Sequence, residues 1–197
     1  MNLTLICLST DKPVSSLKAM NHCLNVFPHF SKAKLLSCFD EKDGQIEIKK
    51  VPVSSYLDYN RFMVEDLSAH VKTEHALIVQ NDGYIVNQEL WNDEFLQYDY
   101  IGAPWPWHGV CGNGGFSLRS KRFLEVSSSL KYEPEHHEYP CAPEDWFLCV
   151  KKRKFFEDAG IKFAPNQIAQ KFSFETPMGY PNEGKHSSFG FHGKHNL

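Results

Sequence analysis

The sequence has no run of apolar residues long enough to cross a membrane, and none of its cysteines are paired at close spacing. The apolar stretch from Leu3 to Leu8 is far shorter than the roughly 20 residues that a membrane helix needs, and it lacks the basic flank of a signal peptide. We interpret it as a buried strand. The spacing of the six cysteines excludes a zinc or redox motif and indicates free thiols in a reducing compartment. We therefore expect a cytoplasmic protein.

The chain also lacks a strong charge of either sign. Its formal net charge is −3, which gives no electrostatic footprint for nucleic acid. The single basic run is Lys151-Lys152-Arg153-Lys154. It is typical of a solvated helix face, and peripheral contact with an anionic membrane is the alternative. We expect no nucleic-acid partner.

What the chain does have is enough apolar sequence for one core. It contains 197 residues, of which 42% are hydrophobic and 14% aromatic. This length suits a single domain over residues 1–197. Residues 178–197 are rich in Gly, Ser, Asn and His, which favours a mobile C-terminal segment, a lid that a bound ligand would order.

Strand patterns and helix patterns alternate in the first half of the chain. Apolar or alternating runs predict strands over residues 3–9, 33–39, 45–51 and 76–79. Helical patterns lie between them, over residues 14–27 and after the capping box at Ser55. This order predicts an α/β fold with an open, mostly parallel central sheet flanked by helices. Ligands bind beyond the carboxyl ends of such strands, so the residues after Val79 form a candidate site.

Two segments in the second half carry the clearest functional pattern. Asn113-Gly114-Gly115-Phe116 places adjacent glycines before a strand, which permits a close approach of the backbone to a ligand or a positive φ. A bulge or tight turn is the alternative. Further along, Pro143-Glu144-Asp145 has the form of a helix start, where acids also oppose the helix dipole, and the helix is predicted over residues 144–159. Together the segments predict a carboxylate pair that faces a substrate loop without side chains.

The order of the chain's motifs resembles a bacterial family assigned to glycosyltransferases and long labelled a domain of unknown function. The resemblance covers roughly residues 50–193 and rests on the glycine loop, the two acids, and the segments Tyr59-Asn60-Arg61-Phe62, Leu77-Ile78-Val79-Gln80-Asn81-Asp82-Gly83, Tyr98-Asp99-Tyr100-Ile101-Gly102-Ala103-Pro104-Trp105 and Phe189-Gly190-Phe191-His192-Gly193. More remotely, the set is similar to the β-1,4-galactosyltransferases. The resemblance implies a GT-A-like fold, the fold of nucleotide-diphospho-sugar transferases.

On the donor side, the resemblance assigns a nucleotide contact to Arg61 and further donor contacts to Gln80, Asn81 and Asp82. Asp82 matches the last acid of the Asp-x-Asp triplet in related enzymes, although Asp-Gly is also a turn dipeptide. Gln80 stands where the first acid would be, which leaves one carboxylate. His192 is the second implied metal ligand, and imidazole suits Mn²⁺ better than Mg²⁺. Mn²⁺ or Mg²⁺ is the expected cofactor.

On the acceptor side, the resemblance implies that Asp145 is the general base and that Glu144 beside it holds the acceptor. Residues 172–175 are predicted to form a late strand, on which Glu175 is interpreted as a surface acid, with a sugar contact as the alternative. The flat rings of Trp105 and Trp107 suit the apolar face of a pyranose. Packing in the core or in a lid is the alternative role for these two tryptophans. The predicted acceptor contacts are Gly114, Gly115, Phe116, Trp105 and Trp107.

These assignments predict a hexosyltransferase that moves a sugar from a nucleotide-diphosphate donor, with UDP favoured, to a glycan or lipid-linked acceptor. The bacterial relatives suggest polysaccharide biosynthesis. Direct attack by an acceptor hydroxyl, with Asp145 as base, would invert the anomeric configuration. Two alternatives stay open. One is a sugar-binding module of the same fold without turnover, and the other is a metal-dependent hydrolase built from Asp82, Asp145 and the C-terminal histidines.

Overall fold

The computed structural model describes residues 1–40, 42–179 and 183–197. The strands, in chain order, are β1 (Leu3–Ser9), β2 (Lys32–Ser37), β3 (Glu47–Lys50), β4 (His75–Val79), β5 (Tyr84–Ile85), β6 (Tyr100–Ile101), β7 (Pro104–Trp105), β8 (Val110–Cys111), β9 (Phe116–Ser120), β10 (Ser173–Phe174) and β11 (Gly190–Phe191). The α-helices are α1 (Pro13–Val26), α2 (Tyr56–Glu65), α3 (Lys121–Ser127), α4 (Glu144–Trp146), α5 (Arg153–Asp158) and α6 (Asn166–Phe172).

Six of these strands form the central sheet, in the order β3-β2-β1-β4-β9-β6. β1 pairs in parallel with β2 and β4, and β2 pairs in parallel with β3. β9 runs antiparallel to both of its neighbours, β4 and β6. The predicted α/β fold with an open, mostly parallel sheet is therefore confirmed. The antiparallel direction of β9 has a consequence for the site, because it brings the beginning of β9 to the edge where β4 ends.

The central strands are buried because helices cover the sheet. Every residue of β1 is buried, as expected for an apolar strand inside a parallel sheet. α1 packs on β1 and β2, and α3 packs on β9. All six cysteines are free thiols, and five of them are buried. Among the described residues, no helix has the length and apolar composition needed to span a membrane.

Helix α2 begins where the capping box predicts. The hydroxyl of Ser55 accepts a hydrogen bond from the amide of Asp58 at 3.1 Å, which satisfies one of the free amides of the first turn. The helix ends at Glu65, and a 3-10 turn over Leu67–His70 follows it. The predicted apolar stripe of this segment is buried throughout: Tyr59, Met63, Leu67 and Val71.

The helical segment after the two acids is interrupted, whereas the sequence predicts one helix over residues 144–159. α4 passes into a π-helical turn over Phe147–Lys151, in which the Lys152 amide donates to the Phe147 carbonyl at 2.8 Å. α5 follows, and Gly160 ends it with a φ of +75°. π-helical turns are rare and are found frequently at functional sites.

A small sheet fixes the C-terminal part of the chain. β11 lies between β10, to which it is parallel, and β5, to which it is antiparallel. The strand predicted over residues 172–175 is shorter, because α6 continues through Phe172. Residues 180–182 of the predicted mobile segment 178–197 lie outside the described residues. The pairing of Gly190–Phe191 on both sides places His192, the next residue, against the end of β4.

Candidate active site

A cleft of about 650 Å³ lies at the edge of the central sheet where β4 ends and β9 begins. Gln80 directly follows β4, and Gly115 directly precedes β9; both line the cleft. Other lining residues come from α2, the loop around Trp105 and Trp107, the segment around Asp145, and the two segments that hold Glu175 and His192. This is the position where open α/β sheets bind ligands, and the sequence pattern predicts it.

The glycine loop contacts the predicted base directly. The Gly114 amide donates to Asp145 Oδ2 at 2.9 Å, and Asn113 Oδ1 accepts from the amides of Gly115 and Phe116 at 3.1 and 3.3 Å. Neither Gly114 nor Gly115 has a positive φ. A Cβ at Gly114 would collide with the Glu144 carboxylate, and a Cβ at Gly115 would collide with the His192 ring. Close approach, rather than backbone conformation, explains the two glycines.

Asp145 is shielded by the protein but keeps a face to the cleft. Its Oδ1 also accepts a hydrogen bond from the Trp146 amide at 2.8 Å. Burial and then the charge of Glu144 raise the pKa of Asp145 from 3.8 to about 7, against the lowering effect of the two amides and of Arg119. A carboxylate with a pKa near neutrality suits a general base, because it takes a proton readily at the working pH.

Glu144, the neighbouring acid, is committed to a buried ion pair. The guanidinium of Arg119, which is 0% exposed, donates to both of its carboxylate oxygens at 3.0 and 2.8 Å. Burial lowers the pKa of Arg119, but the charge of Glu144 outweighs burial and raises the pKa above its ordinary value. Arg119 also donates to the Ser117 hydroxyl, which in turn donates to the Gly114 carbonyl. Glu144 therefore supports the glycine loop and α4, and the structure does not offer its carboxylate to an acceptor as the sequence predicts.

In the segment Tyr59-Asn60-Arg61-Phe62, Asn60 supports the site, whereas Arg61 does not reach it. Asn60 is buried, and its Oδ1 accepts from the Glu144 amide at 2.8 Å, which caps α4. Arg61 lies on the outer face of α2, where its side chain is 49% exposed and its nearest acid is Asp58, 3.9 Å away. The predicted nucleotide contact is thus not brought to the cleft, because the apolar stripe of α2 sets which face turns inward.

His192 lies between two acids. Its Nε2 is 3.3 Å from Asp82 Oδ1 and 3.1 Å from Gln80 Oε1, and its Nδ1 is 2.9 Å from Glu175 Oε1. Burial lowers the pKa of His192, but the hydrogen bonds and charges of Asp82 and Glu175 outweigh it and raise the pKa to about 9. Burial raises the pKa of Asp82, and the contact with His192 reverses that and lowers it. The ring and both acids are held in one network.

This network corrects the surface interpretation of Glu175. Its side chain is only 16% exposed, and it accepts from Asn113 Nδ2 at 2.7 Å while it contacts His192. Asp82 lies in the turn that the Asp-Gly dipeptide predicts, and its role as a metal ligand stays a prediction. The turn is closed by a hydrogen bond from the Gly83 amide to the Gln80 carbonyl, and the carboxylate of Asp82 faces His192. The error arises because the pairing of β10 with β11 brings Glu175 to His192, and a local sequence pattern does not show that pairing.

The donors around His192 Nε2 fit a divalent cation that a substrate helps to hold. Asp82 offers a carboxylate, Gln80 an amide oxygen, and His192 an imidazole nitrogen once it has lost its proton. Glu175 on Nδ1 is the carboxylate partner that orients metal-binding histidines. Within the described ranges, no three His, Cys, Asp or Glu side chains converge as a closed metal site. An incomplete protein shell is normal for Mg²⁺, which binds through one or two carboxylates together with substrate phosphates.

The predicted acceptor residues divide into two groups. Phe116 is 0% exposed and packs against Phe172 and Phe189, so the structure does not present its ring to the cleft. Its side chain turns to the core, as strand alternation allows for the first residue of β9. Trp105 is buried but lines the cleft, whereas Trp107 lines the cleft with 64% of its surface exposed.

A smaller cavity of about 170 Å³ adjoins the cleft through three shared residues, Tyr56, Tyr59 and Gln80. Asn81, a predicted donor contact, lines this cavity. It is also lined by the segment Ser9-Thr10-Asp11, which begins at the last residue of β1 and which sequence reasoning did not single out. The sequence could have indicated this segment, because ligands bind at the ends of central strands in this class of sheet.

Comparison with known sequences identifies the family. Residues 45–192 match the family described as "Protein of unknown function (DUF5672)". The chain belongs to this family. The resemblance inferred from the sequence is thereby confirmed at the level of the family, while the similarity to β-1,4-galactosyltransferases stays a prediction. No curated protein matches the chain by sequence.

Solved structures with a similar fold are glycosyltransferases. The mannosyltransferase PcManGT from Pyrobaculum calidifontis, solved with GDP-Man and Mn²⁺, is 8% identical with a TM-score of 0.53, over 84% of this chain and 55% of its own. The galactosyltransferase LgtC, solved with donor and acceptor sugar analogs, is 10% identical with a TM-score of 0.53, over 96% of this chain and 86% of its own.

A weaker likeness is to S. aureus TarS, with 12% identity and a TM-score of 0.46, over 75% of this chain and 54% of that one. The chain spans about half the length of the TarS and mannosyltransferase chains. At identities this low, structural similarity establishes the fold only. The chain has the GT-A glycosyltransferase fold, as the sequence predicts.

Proposed function

We propose that the protein is a glycosyltransferase that moves a sugar from a nucleotide-diphosphate donor to an acceptor hydroxyl, with Asp145 as general base. The observation that carries this proposal is the position of Asp145. It lies in the cleft, against the Gly114 amide, with its pKa raised to about 7. The incoming hydroxyl would give its proton to Asp145 as it attacks the anomeric carbon, which is a single displacement with inversion.

The distribution of charge around the site supports a cation-dependent donor. No Lys or Arg is found among the residues that the structure shows lining the cleft or the adjoining cavity. A diphosphate bound there would meet the carboxylates of Asp11 and Glu175, and the charge of a protonated His192 is already offset by Asp82 and Glu175, 3.3 and 2.9 Å away. The leaving diphosphate therefore needs a metal ion to balance its charge, as in other phosphate-binding sites.

The chain's own residues would divide the work between the two cavities. Asp82, Gln80 and His192 would hold Mn²⁺ or Mg²⁺, with Glu175 fixing the orientation of the imidazole. When bound, such a cation stabilises the charge that develops on the departing diphosphate. Ser9-Thr10-Asp11 and Asn81 would contact the nucleoside in the smaller cavity. UDP is the favoured nucleotide by resemblance, and GDP is the competitor that the mannosyltransferase neighbour suggests.

Nucleotide binding should depend on the cation and on its one carboxylate. A nucleoside diphosphate at about 100 times its Kd stabilises the folded state by about 2.7 kcal/mol, which for this size corresponds to a rise in Tm of roughly 5–10 °C. A thermal-shift panel of nucleoside diphosphates should show this rise only with Mn²⁺ or Mg²⁺. Asp82→Asn should remove it. Gln80→Glu is isosteric, and it replaces the bond that the Gln80 amide donates to Tyr59 Oη with one that the Tyr59 hydroxyl can donate to the carboxylate; it should strengthen the rise.

The reverse pattern would contradict the proposal. Equal nucleotide binding with and without a divalent cation, or an Asp82→Asn variant that responds like the natural chain, would remove Asp82 as a ligand. Asp158→Asn is the matched control, because Asp158 is an exposed acid paired with Lys154 far along α5. Its response to the panel should equal that of the natural chain.

The rate of sugar transfer should fall as the pH drops below about 7. The base works as a carboxylate, so activity is present above the pKa of Asp145, which is about 7. Below that value kcat/KM should fall about tenfold per pH unit, because only the ionised fraction reacts. The measurement is a pH profile of donor consumption. A profile that stays flat from about pH 5 to 8 would show that no group with this pKa is the base.

The ion pairs of the basic run at residues 151–154 favour its interpretation as a solvated helix face over its interpretation as a membrane contact. Lys151 and Lys152 both contact the carboxylate of Glu133 at 2.6 Å. Arg153 and Lys154 pair with acids one helical turn away, at 2.9 and 2.8 Å. Three acids thus offset most of the charge of the four basic side chains. A cytoplasmic protein without strong membrane contact is therefore our proposal for its location.

A further inference from the structure

The exposed tryptophan and tyrosine rings among the described residues line one cleft. Among the described residues, the large exposed side chains of these two types are Tyr56, Trp107 and Tyr139, at 50, 64 and 52% exposure. All three line the cleft that contains Asp145. A single exposed ring is ordinary on a protein surface, but a concentration of exposed rings on one concave surface marks a site of interaction.

The wall formed by these rings is stiffened by its own packing. His136 lies between Trp146 and Tyr139, with ring centroids 4.4 and 5.0 Å away. Its Nδ1 accepts hydrogen bonds from the amides of Glu138 and Tyr139 at 3.1 and 3.3 Å. Trp146 directly follows Asp145, so the wall begins beside the proposed base. A ligand lying on it would present its groups to that carboxylate.

The charges of the cleft select among ligands. Its formal charges among the described lining residues are acids, including Glu138, Asp145 and Glu175, and no lysine or arginine accompanies them. Histidines line it as well, but His136 uses one ring nitrogen as an acceptor for the backbone, and His192 lies between Asp82 and Glu175, which offset its charge when it is protonated. A phosphate or carboxylate on the ligand would meet carboxylates without a permanent cation to offset them. A neutral polyol can pack its apolar C-H faces against the aromatic rings and donate hydrogen bonds from its hydroxyl groups to the carboxylate oxygens.

We propose that Tyr56, Trp107, Tyr139 and Trp146 form the acceptor site and that the acceptor is an uncharged glycan whose pyranose rings lie against them. The inference rests on the proposed function and narrows its acceptor from "glycan or lipid-linked" to a neutral sugar chain. A phosphorylated lipid-linked sugar, with its anionic group close to the reacting hydroxyl, does not match this wall.

Ligand-observed NMR with the full chain tests the proposal. The probes are neutral oligosaccharides built from glucose, galactose, mannose and N-acetylhexosamines, together with matched sugar phosphates and uronates. At least one neutral glycan should bind, and its anionic counterpart should bind more weakly. Trp107→Ala and Tyr139→Ala should each weaken binding about five- to tenfold, the size expected for loss of one stacking ring. Phe155→Ala is the matched control, because Phe155 is an exposed ring, at 42%, that lies outside the cleft.

Three results would overturn the proposal: no binding by any neutral glycan, stronger binding by a phosphorylated counterpart, or an equal loss of binding in Phe155→Ala. Thermal melts of each variant exclude unfolding as the cause. The outcome is separable from that of the proposed function. Cation-dependent nucleotide binding with no glycan binding removes only the acceptor assignment, whereas glycan binding without nucleotide binding removes the transferase and leaves a glycan-binding module.

Discussion

Replacement of Asp145 by asparagine should lower turnover by about 10²–10⁴-fold, the usual contribution of a general base. Asparagine keeps an oxygen for the hydrogen bond from the Gly114 amide, which is 2.9 Å from the carboxylate, but it cannot accept the proton of the attacking hydroxyl. Donor binding should be retained, because the proposed cation ligands are Asp82, Gln80 and His192. The loss should therefore be in kcat rather than in the Kd of the nucleotide.

The stability of this variant separates a chemical defect from unfolding. The folded chain keeps a proton on Asp145 up to about pH 7, whereas an unfolded chain releases it near 3.8. Ionising this group thus opposes folding increasingly as the pH rises between these values. Asparagine loses one of the two acceptors that serve the Gly114 and Trp146 amides, and this cost does not change with pH. The stability of the variant relative to the natural chain should therefore rise between about pH 4 and pH 7. Normal turnover in Asp145→Asn would remove Asp145 as the base, and a stability difference that does not change with pH would contradict its raised pKa.

Replacement of Glu144 by glutamine should destabilise the fold by about 3–5 kcal/mol, because it leaves a buried charge without its partner. The Arg119 guanidinium is 0% exposed, and both of its bonds to acid go to Glu144. For a chain of this size, that loss corresponds to a fall in Tm of roughly 6–20 °C. Differential scanning calorimetry or urea unfolding measures it.

The chain supplies a matched control for this second prediction. Glu157 pairs with Arg153 at 2.9 Å, but its side chain is 51% exposed. Glu157→Gln should change the stability by less than about 1 kcal/mol, since water replaces the lost partner. Similar effects of the two substitutions would mean that the Arg119–Glu144 pair is hydrated in solution. It would then contribute little to the position of the glycine loop and of Asp145.

Much of the fold could be predicted from local patterns. The apolar runs place β1 and β4 nearly to the residue, and the capping box places the start of α2. These features depend on neighbours in sequence, so one chain is enough to see them. The π-helical turn over Phe147–Lys151 could not be predicted, because it follows from how the segment packs and leaves no distinct residue pattern.

The candidate site was predictable where backbone chemistry limits the choice of residue. The two glycines were informative because a Cβ at either position would collide with Glu144 or His192. The prediction failed where the direction of a side chain decides the role. Arg61 turns outward and Phe116 turns into the core, and a motif match does not reveal either direction.

Two members of the site were hidden for a related reason. Arg119 lies in a strand whose five residues are all buried, where an arginine is not expected without its distant partner. Glu175 gains its role only when the small sheet brings it to His192. Both contacts join segments far apart in the chain, so a single sequence gives no sign of them.

A crystal structure with Mn²⁺ and a nucleoside diphosphate, phased on the anomalous signal of manganese, tests the central claim most directly. We predict a manganese peak in contact with Asp82 Oδ1 and His192 Nε2, with the diphosphate in the cleft and its terminal phosphate directed towards the space in front of Asp145. Manganese or nucleotide bound elsewhere, for example at the outer face of α2 near Arg61, would contradict the account.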